Sequence, residues 1–282
     1  MEIIKRISEL NHLITTVQNA GKSIGFVPTM GALHDGHMAL IHEAKSQCDF
    51  VVVSVFVNPT QFTNEEDLKL YPRTPEADVA MLLQHGCDVV FFPEVTEIYS
   101  SDYQTPVVPL GPLDEVMEAT FRSGHFQGVI QVVYRLFELV QPQKAFFGLK
   151  DFQQVAVIRH MVNYLQVPVE IIACPTARNS EGLALSSRNK RLSETQLKEA
   201  LHIFKTMIHA KELAEKLSPE FTQKAANEFF NKATLRLEYL EIVDPFTLKS
   251  LTSEWVSNAT ICIACYCGNV RLIDNYNLKP EL

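Results

Sequence analysis

A chain of 282 residues, 46% hydrophobic and 21% charged, carries enough apolar side chains to fold unaided, which excludes an intrinsically disordered protein. Lys and Arg number 25 against 33 Asp and Glu, and the resulting net charge of −8 repels nucleic acid on average while leaving room for a local anion site. No window approaches the roughly 18 to 20 apolar residues of a membrane span, and residues 1–11 alternate apolar with charged side chains unlike a signal peptide, so no membrane partner and a cytoplasmic location are expected.

The first 175 residues repeat one pattern: a short apolar run closed by Pro, Asn or Gly, a stretch of helical period, then another run. In chain order the spacing predicts a strand at 23–27, a helix at 37–47, a strand at 50–57, a helix over Pro75–Gln84 and a strand at 88–92. A helix at 129–140, a strand at 144–147, a helix over Phe152–Leu165 and a strand at 169–173 complete the series. Near-continuous apolar strands alternating with helices imply a parallel sheet covered on both faces, with right-handed crossovers. The expected fold is α/β, a Rossmann-like doubly wound domain over 1–176.

Beyond Pro175 the composition shifts. Residues 177–191, poor in aromatics and rich in Ser, Arg and Asn, read as an exposed loop and hinge. Ser193 and Gln196 form a capping-box pair at the start of a long helix, and Ser218-Pro219 offers a second helix its N-cap and N1 proline. Runs at 238–243, 260–267 and 270–274 read as strands, with Cys267-Gly268-Asn269 turning the last two into a hairpin. A smaller α+β domain over 177–282 is expected. Cys48, Cys87, Cys174, Cys262, Cys265 and Cys267 read as free thiols, and the CxxCxC spacing of the last three reads as buried strand rather than as a metal site.

In open α/β sheets ligands bind outside the carboxyl ends of the strands, so the residues after each run are the ones to inspect. The first run is followed by Pro28-Thr29-Met30-Gly31-Ala32-Leu33-His34-Asp35-Gly36-His37, the second by Asn58-Pro59-Thr60-Gln61-Phe62, and the fourth by Gly148-Leu149-Lys150-Asp151. His34 and His37, three apart at a helix start, share a face and can address one ligand. Free backbone N–H groups and the positive end of the helix dipole favour phosphate there, and Gly31 and Gly36 admit a nucleotide close to the main chain. A nucleoside triphosphate fits. Gly21-Lys22-Ser23 resembles the end of a P-loop but precedes a strand instead of following one, while GxGxxG and HExxH are absent.

These elements recur in order with Tyr71-Pro72-Arg73-Thr74, Gly124-His125-Phe126, Lys150-Asp151-Phe152-Gln153-Gln154, Leu185-Ser186-Ser187-Arg188-Asn189 and Arg271-Leu272-Ile273-Asp274-Asn275. The ensemble resembles the pantoate–β-alanine ligase family of the HxGH nucleotidyltransferase superfamily over essentially the whole chain; HxGH alone specifies only the superfamily. The resemblance implies a two-step ligation of small molecules: the (R)-pantoate carboxylate attacks the α-phosphate of ATP to give pantoyl adenylate and pyrophosphate, and β-alanine then displaces AMP. It implies that Met30, Gly31, Ala32, Leu33, His34, Asp35, Gly36 and His37 line the ATP site, with both imidazoles near the phosphates and His37 as proton donor and charge stabiliser. Gly148, Leu149, Lys150, Asp151 and Ala177 would line the adenosine side, Lys150 reaching phosphate. Leu185, Ser186, Ser187 and Arg188 would bring two hydroxyls and a guanidinium to the triphosphate.

Gln61 and Gln154 match the positions that grip pantoate, where a neutral amide binds a carboxylate without quenching its nucleophilicity. Mg²⁺ is expected with ATP, held by phosphates and water without a dedicated protein site, and the family habit implies a homodimer. The chain departs from the family at Leu149, where Gly-Glu-Lys-Asp is usual. Glu118 and Arg122 either lie at the pocket or form an exposed helix pair. Two other readings stand beside the ligase: an HxGH nucleotidyltransferase that stops at the nucleotidyl product, opposed by the amides Gln61 and Gln154, and a catalytically silent nucleotide-binding module, opposed by the intact histidines, Lys150, Ser186 and Arg188.

Overall fold

In the computed structural model, which describes residues 1–62, 65–100 and 102–280, the apolar runs of the first half form one sheet of six strands. These are β1 (Glu2–Ile4), β2 (Ile24–Thr29), β3 (Phe50–Val55), β4 (Val89–Phe91), β5 (Lys144–Gly148) and β6 (Glu170–Cys174), in the order β1-β4-β3-β2-β5-β6 with every neighbouring pair parallel. From β2 the chain winds through β3 to β4 on one side, then crosses to β5 and β6 on the other. The order therefore reverses between β2 and β5, the place where doubly wound sheets open a ligand crevice. The helices are α1 (Ile7–Asn19), α2 (Asp35–Gln47), α3 (Glu65–Leu70), α4 (Pro75–Gln84), α5 (Val95–Ile98), α6 (Glu118–Phe121), α7 (His125–Val140) and α8 (Phe152–Leu165).

Side-chain alternation along the strands fills two layers. Val27, Val51, Val53, Val90 and Phe146 pack with Met38, Ile41 and Ala44 of α2 and Leu82 of α4. Phe26 and Phe147 turn the other way and meet Phe137 of α7, their ring centroids 6.3 and 6.4 Å from it. The bounds of α4 and α8 match the sequence pattern, and the strands shift by one or two residues. The edge strand β1 and the helices α1, α3, α5 and α6 were not anticipated; the first N–H of α1, at Ile7, donates to Glu97 Oε2 at 2.9 Å. Helix α7 begins at His125 rather than at 129, because Gly124 at φ +77° turns the chain directly into it.

The C-terminal residues build α9 (Glu194–Leu213), α10 (Pro219–Phe230) and an antiparallel sheet of β7 (Arg236–Val243), β8 (Thr260–Cys267) and β9 (Val270–Asn277). The Ser193–Gln196 capping box is formed, and Pro219 occupies the first turn of α10, although the Ser218 side chain makes no cap bond. Cys262, Cys265 and Cys267 are buried free thiols on β8. The 177–191 segment is not the exposed loop expected. Arg178 bridges Ala184 in antiparallel fashion, and Leu183 and Leu192 join the apolar core formed with α9 and β8. Leu183 within the stretch and Leu192 just after it anchor it to that core.

Packing divides the chain into two units. The first comprises Met1–Leu110, Arg122–Gly148 and Val157–Pro175; the second comprises Gly111–Phe121, Leu149–Ala156 and Thr176–Leu282. Gln153 shows why the segments 111–121 and 149–156 group together. Its Oε1 accepts the Glu118 N–H, and its Nε2 donates to the carbonyls of Leu113 and Val116, each at 2.9 Å. Among the described residues no helix is long and apolar enough to cross a membrane.

Candidate active site

In the first unit, the chain leaves β2 and turns through residues 30–34 into α2. Ala32 is buried at φ +50°, a conformation that strains a residue with a Cβ, so something must hold it there. Asp78 of α4, only 2% exposed, does so. Its Oδ2 accepts the Ala32 N–H at 3.0 Å, and its Oδ1 accepts the Leu33 N–H at 2.8 Å and the Thr74 hydroxyl at 3.0 Å. His34 then caps α2: its Nδ1 accepts the Gly36 N–H at 3.1 Å, while its own N–H donates to His37 Nδ1 at 3.3 Å. Two imidazoles thereby fill the roles that Ser and Glu play in an ordinary capping box. Because each Nδ1 accepts a backbone N–H, each neutral ring carries its proton on Nε2. The rings lie 4.1 Å apart at a positive helix end, an arrangement suited to an anion.

The amide of Gln61 is oriented by its neighbours. It lies in the 3₁₀ turn Pro59–Gln61, capped by Asn58, whose Oδ1 accepts from Thr60 N and from the Tyr99 hydroxyl at 2.8 Å. Asn58 Nδ2 donates to the Gly128 carbonyl at 3.0 Å and to Gln61 Oε1 at 3.2 Å. With its oxygen taken, Gln61 directs Nε2 to Met30 Sδ at 3.2 Å and is set as a donor. His125 Nδ1 donates to the Gln61 carbonyl at 2.7 Å. Helix α7 comes so close that a Cβ on Gly128 would lie 2.6 Å from Thr60 C and 2.7 Å from Gln61 Cα.

In the second unit, Lys150, Ser186, Arg188 and Asn189 line an open pocket together with Arg271, Leu272, Ile273 and Asp274 of β9. Lys150 Nζ lies 3.2 Å from Asp151 Oδ1, and Ser186 Oγ accepts the Arg188 N–H at 3.3 Å to cap the short turn that follows. Arg178 closes on Asp274 as a fork, at 2.6 and 2.9 Å, and also donates to the carbonyls of Gly182 and Asn275. Its guanidinium stacks on Phe204 at 4.8 Å, and Gly182, at φ +98°, has no room for a Cβ beside that ring. Burial pushes the Asp274 carboxyl up, against the pull of the Arg178 fork.

Arg271 is gripped by two carboxylates. Its Nη1 and Nη2 bond Glu118 at 2.8 and 2.9 Å, its Nε donates to Glu238 at 2.9 Å, and Nη2 also meets Glu238. Burial works against the guanidinium charge, yet Glu118 and then Glu238 hold it above its usual range. Glu118 is 6% exposed and also accepts the Tyr239 hydroxyl at 2.8 Å, so the exposed helix pair is not what the fold makes of it.

The structure thus gathers Met30, Gly31, Ala32, Leu33, His34, Asp35, Gly36 and His37 with Gln61 in the first unit, where Gly148 ends β5. Lys150, Ser186 and Arg188 share the pocket of the second unit, which also contains Leu149, Asp151 and the half-buried Gln154. Ser187 is buried and stays off that pocket's lining, as do Ala177 and Leu185, which pair through Leu185 N and Ala177 O at 2.9 Å. Sequence reasoning missed Asp78 and Arg178, single charged residues without a motif of their own. It quoted Asp274 and Asn275 but gave them no role.

A doubly wound parallel sheet with polar loops after its strands defines an α/β protein of the class that binds ligands at the carboxyl ends of the strands. The family model described as pantoate-beta-alanine ligase matches residues 2–277. The pantothenate synthetase of Porphyromonas gingivalis strain W83 is 49% identical over 278 residues, 98% of each chain, and that of Bacteroides thetaiotaomicron is 46% identical over 282 residues, 99% of each. Among solved structures, pantothenate synthetase from Thermus thermophilus superposes with a TM-score of 0.94 at 43% identity, covering 99% of this chain and 100% of that one. The pantoate-beta-alanine ligase of Francisella tularensis, complexed with beta-gamma ATP and beta-alanine, gives 0.80 at 34% identity over 100% of both chains. The chain belongs to the pantoate–β-alanine ligase family, a family of enzymes.

Proposed function

We propose that the protein joins (R)-pantoate to β-alanine, driven by ATP, through a pantoyl-adenylate intermediate with release of pyrophosphate and then AMP, in pantothenate and coenzyme A biosynthesis. The observation that carries this reading is the double-imidazole cap of α2, which fixes an Nε2–H donor on both His34 and His37 at a positive helix end. As a pantoate carboxylate oxygen bonds to the α-phosphorus, the bond to the bridging oxygen breaks and charge grows on the leaving pyrophosphate. Donors fixed in place at that helix end lower the barrier without reorganising, His37 acting as proton donor and charge stabiliser. Lys150, Ser186 and Arg188 hold the phosphates, while Gln61 and Gln154 orient pantoate as neutral donors. The β-alanine amine then attacks the acyl carbon, loses a proton, and AMP departs with the C–O bond electrons. Mg²⁺ would arrive with the triphosphate and neutralise part of its charge; the donor set fits this, because an ammonium, a hydroxyl and a guanidinium hold phosphate rather than a cation. A homodimer and a cytoplasmic setting belong to the same proposal and rest on family likeness alone.

Exchange of labelled pyrophosphate into ATP tests this reading. Exchange that requires pantoate but not β-alanine is expected, with pantothenate formed once β-alanine is added. A protein that binds ATP but shows no exchange with pantoate present would overturn it.

A further inference from the structure

The motif 271–275 takes no part in the chemistry above, yet two of its adjacent side chains hold the two segments that carry the phosphate-binding groups. Consecutive residues of a strand face opposite ways. Asp274 takes the Arg178 fork at 2.6 and 2.9 Å, and Arg178 fastens the 178–188 loop further through the Gly182 carbonyl. Asn275 uses one amide nitrogen to hold two successive carbonyls, Leu149 O at 2.7 Å and Lys150 O at 3.0 Å. Both side chains are buried. The loop pinned by Asp274 leads to Ser186 and Arg188, and the turn pinned by Asn275 carries Lys150; all three line one pocket.

We infer that Asp274 and Asn275 of β9 are positioning residues for the nucleotide, setting the spacing between Lys150 on one arm and Ser186 and Arg188 on the other so that both arms close on one triphosphate. The inference rests on the assignment of that pocket to the phosphates of ATP. Two physical points favour the pair over mere packing. The two N–H bonds of an amide nitrogen can donate to two carbonyls from one atom, so at position 275 an amide does what no apolar or acidic side chain does. Asp274 itself lines a pocket proposed for an anion, and there its carboxylate is tolerable only because a guanidinium covers it on both oxygens.

The test uses the full chain and two variants. Asn275→Asp keeps size and shape but removes both donor contacts, and Arg178→Lys keeps the charge opposite Asp274 but removes the fork. ATP binding by calorimetry and steady-state KM values for ATP and pantoate are measured beside thermal melts. Each variant is expected to weaken ATP binding and raise the ATP KM by about tenfold or more, with the pantoate KM within about twofold of wild type. An ATP affinity unchanged within about twofold in both variants overturns the inference, and so does a parallel rise in both KM values that tracks a fall in melting temperature. Should Asn275→Asp not fold, Arg178→Lys alone decides by the same criteria. Failure of the ligase reading shows separately, as a wild-type protein that binds ATP but lacks pantoate-dependent exchange; the calorimetric arm still judges the spacing.

Discussion

Asp78→Asn is nearly isosteric, so its cost isolates the hydrogen bonds that hold the loop in front of α2. In the wild type one carboxylate oxygen accepts from Leu33 N and Thr74 Oγ1, and the other from Ala32 N. An amide has one oxygen. Placed on the Leu33 side, it leaves an NH₂ against the Ala32 N–H, donor to donor; flipped, it strands Leu33 N instead. In a site this buried, one unsatisfied backbone N–H costs about 1–3 kcal/mol, and trading a charged acceptor for a neutral one adds about 1 kcal/mol. The net expectation is about 3 kcal/mol, which at about 2–4 °C per kcal/mol lowers the melting temperature by about 6–12 °C. Ala32 is freed from its left-handed conformation, the loop carrying His34 loosens, and the ATP KM rises by about fivefold or more while pantoate binding holds. Scanning calorimetry and steady-state kinetics check both halves. A melting shift under about 2 °C with an unchanged ATP KM would refute the reasoning.

His37→Ala should slow adenylation by about 3 kcal/mol, since its donor strengthens with leaving-group charge; single-turnover rates equal to wild type would leave the imidazole as a cap alone. Gly128→Ala forces α7 away from Thr60 and Gln61, with an expected loss of about 1–3 kcal/mol and a higher pantoate KM, and a denaturation midpoint equal to wild type would contradict the close approach. Leu149→Glu should alter kcat/KM for ATP by less than about tenfold, since Leu149 contributes its carbonyl to Asn275, whereas Lys150→Ala should cost clearly more; the reverse order in steady-state assays sinks this assignment. The Ile7 N–H bond, with help from Arg6, holds the Glu97 carboxyl below its ordinary range. Folding therefore gains from Glu97 above its unfolded-state pKa and loses that gain as pH falls through the lower folded-state value, so the stability gap to Glu97→Gln should shrink in urea melts taken from about pH 6 down to 3. A gap independent of pH would exclude the linkage.

Helix α4 was legible to the residue because Pro75 marks its first turn and Gly86 follows its end. Strands β2 and β3 were legible as apolar runs between turn residues. Strand β1 was not: it is three residues long, Glu2-Ile3-Ile4, with only Ile4 buried, and its partner β4 lies 87 positions away in register. The candidate site divides in the same way. The imidazoles stand out because two of them at a helix start directly after an apolar strand are unusual, whereas Gln61, Lys150, Ser186 and Arg188 take their roles from the family resemblance. Asp78 looks like any acidic residue on a helix, and only the closure of a distant loop onto it reveals its burial. Glu118 left two readings open in the sequence, because the cation that pairs with it is 153 residues further on.

That separation also has a temporal side. At about 5–20 residues per second, the ribosome needs about 8–30 s to deliver Arg271 after Glu118 has emerged. During that interval the segments 111–121 and 149–156 lack the strands β7 and β9 that cover them in the finished unit. The Glu118 carboxylate and the Leu149 and Lys150 carbonyls are then open to water, and the segments that carry them to proteases and chaperones. Nascent chains halted before β9 are therefore the ones expected to aggregate or be degraded, and a stop codon or frameshift between Arg271 and Asn275 should abolish the protein rather than merely trim its tail.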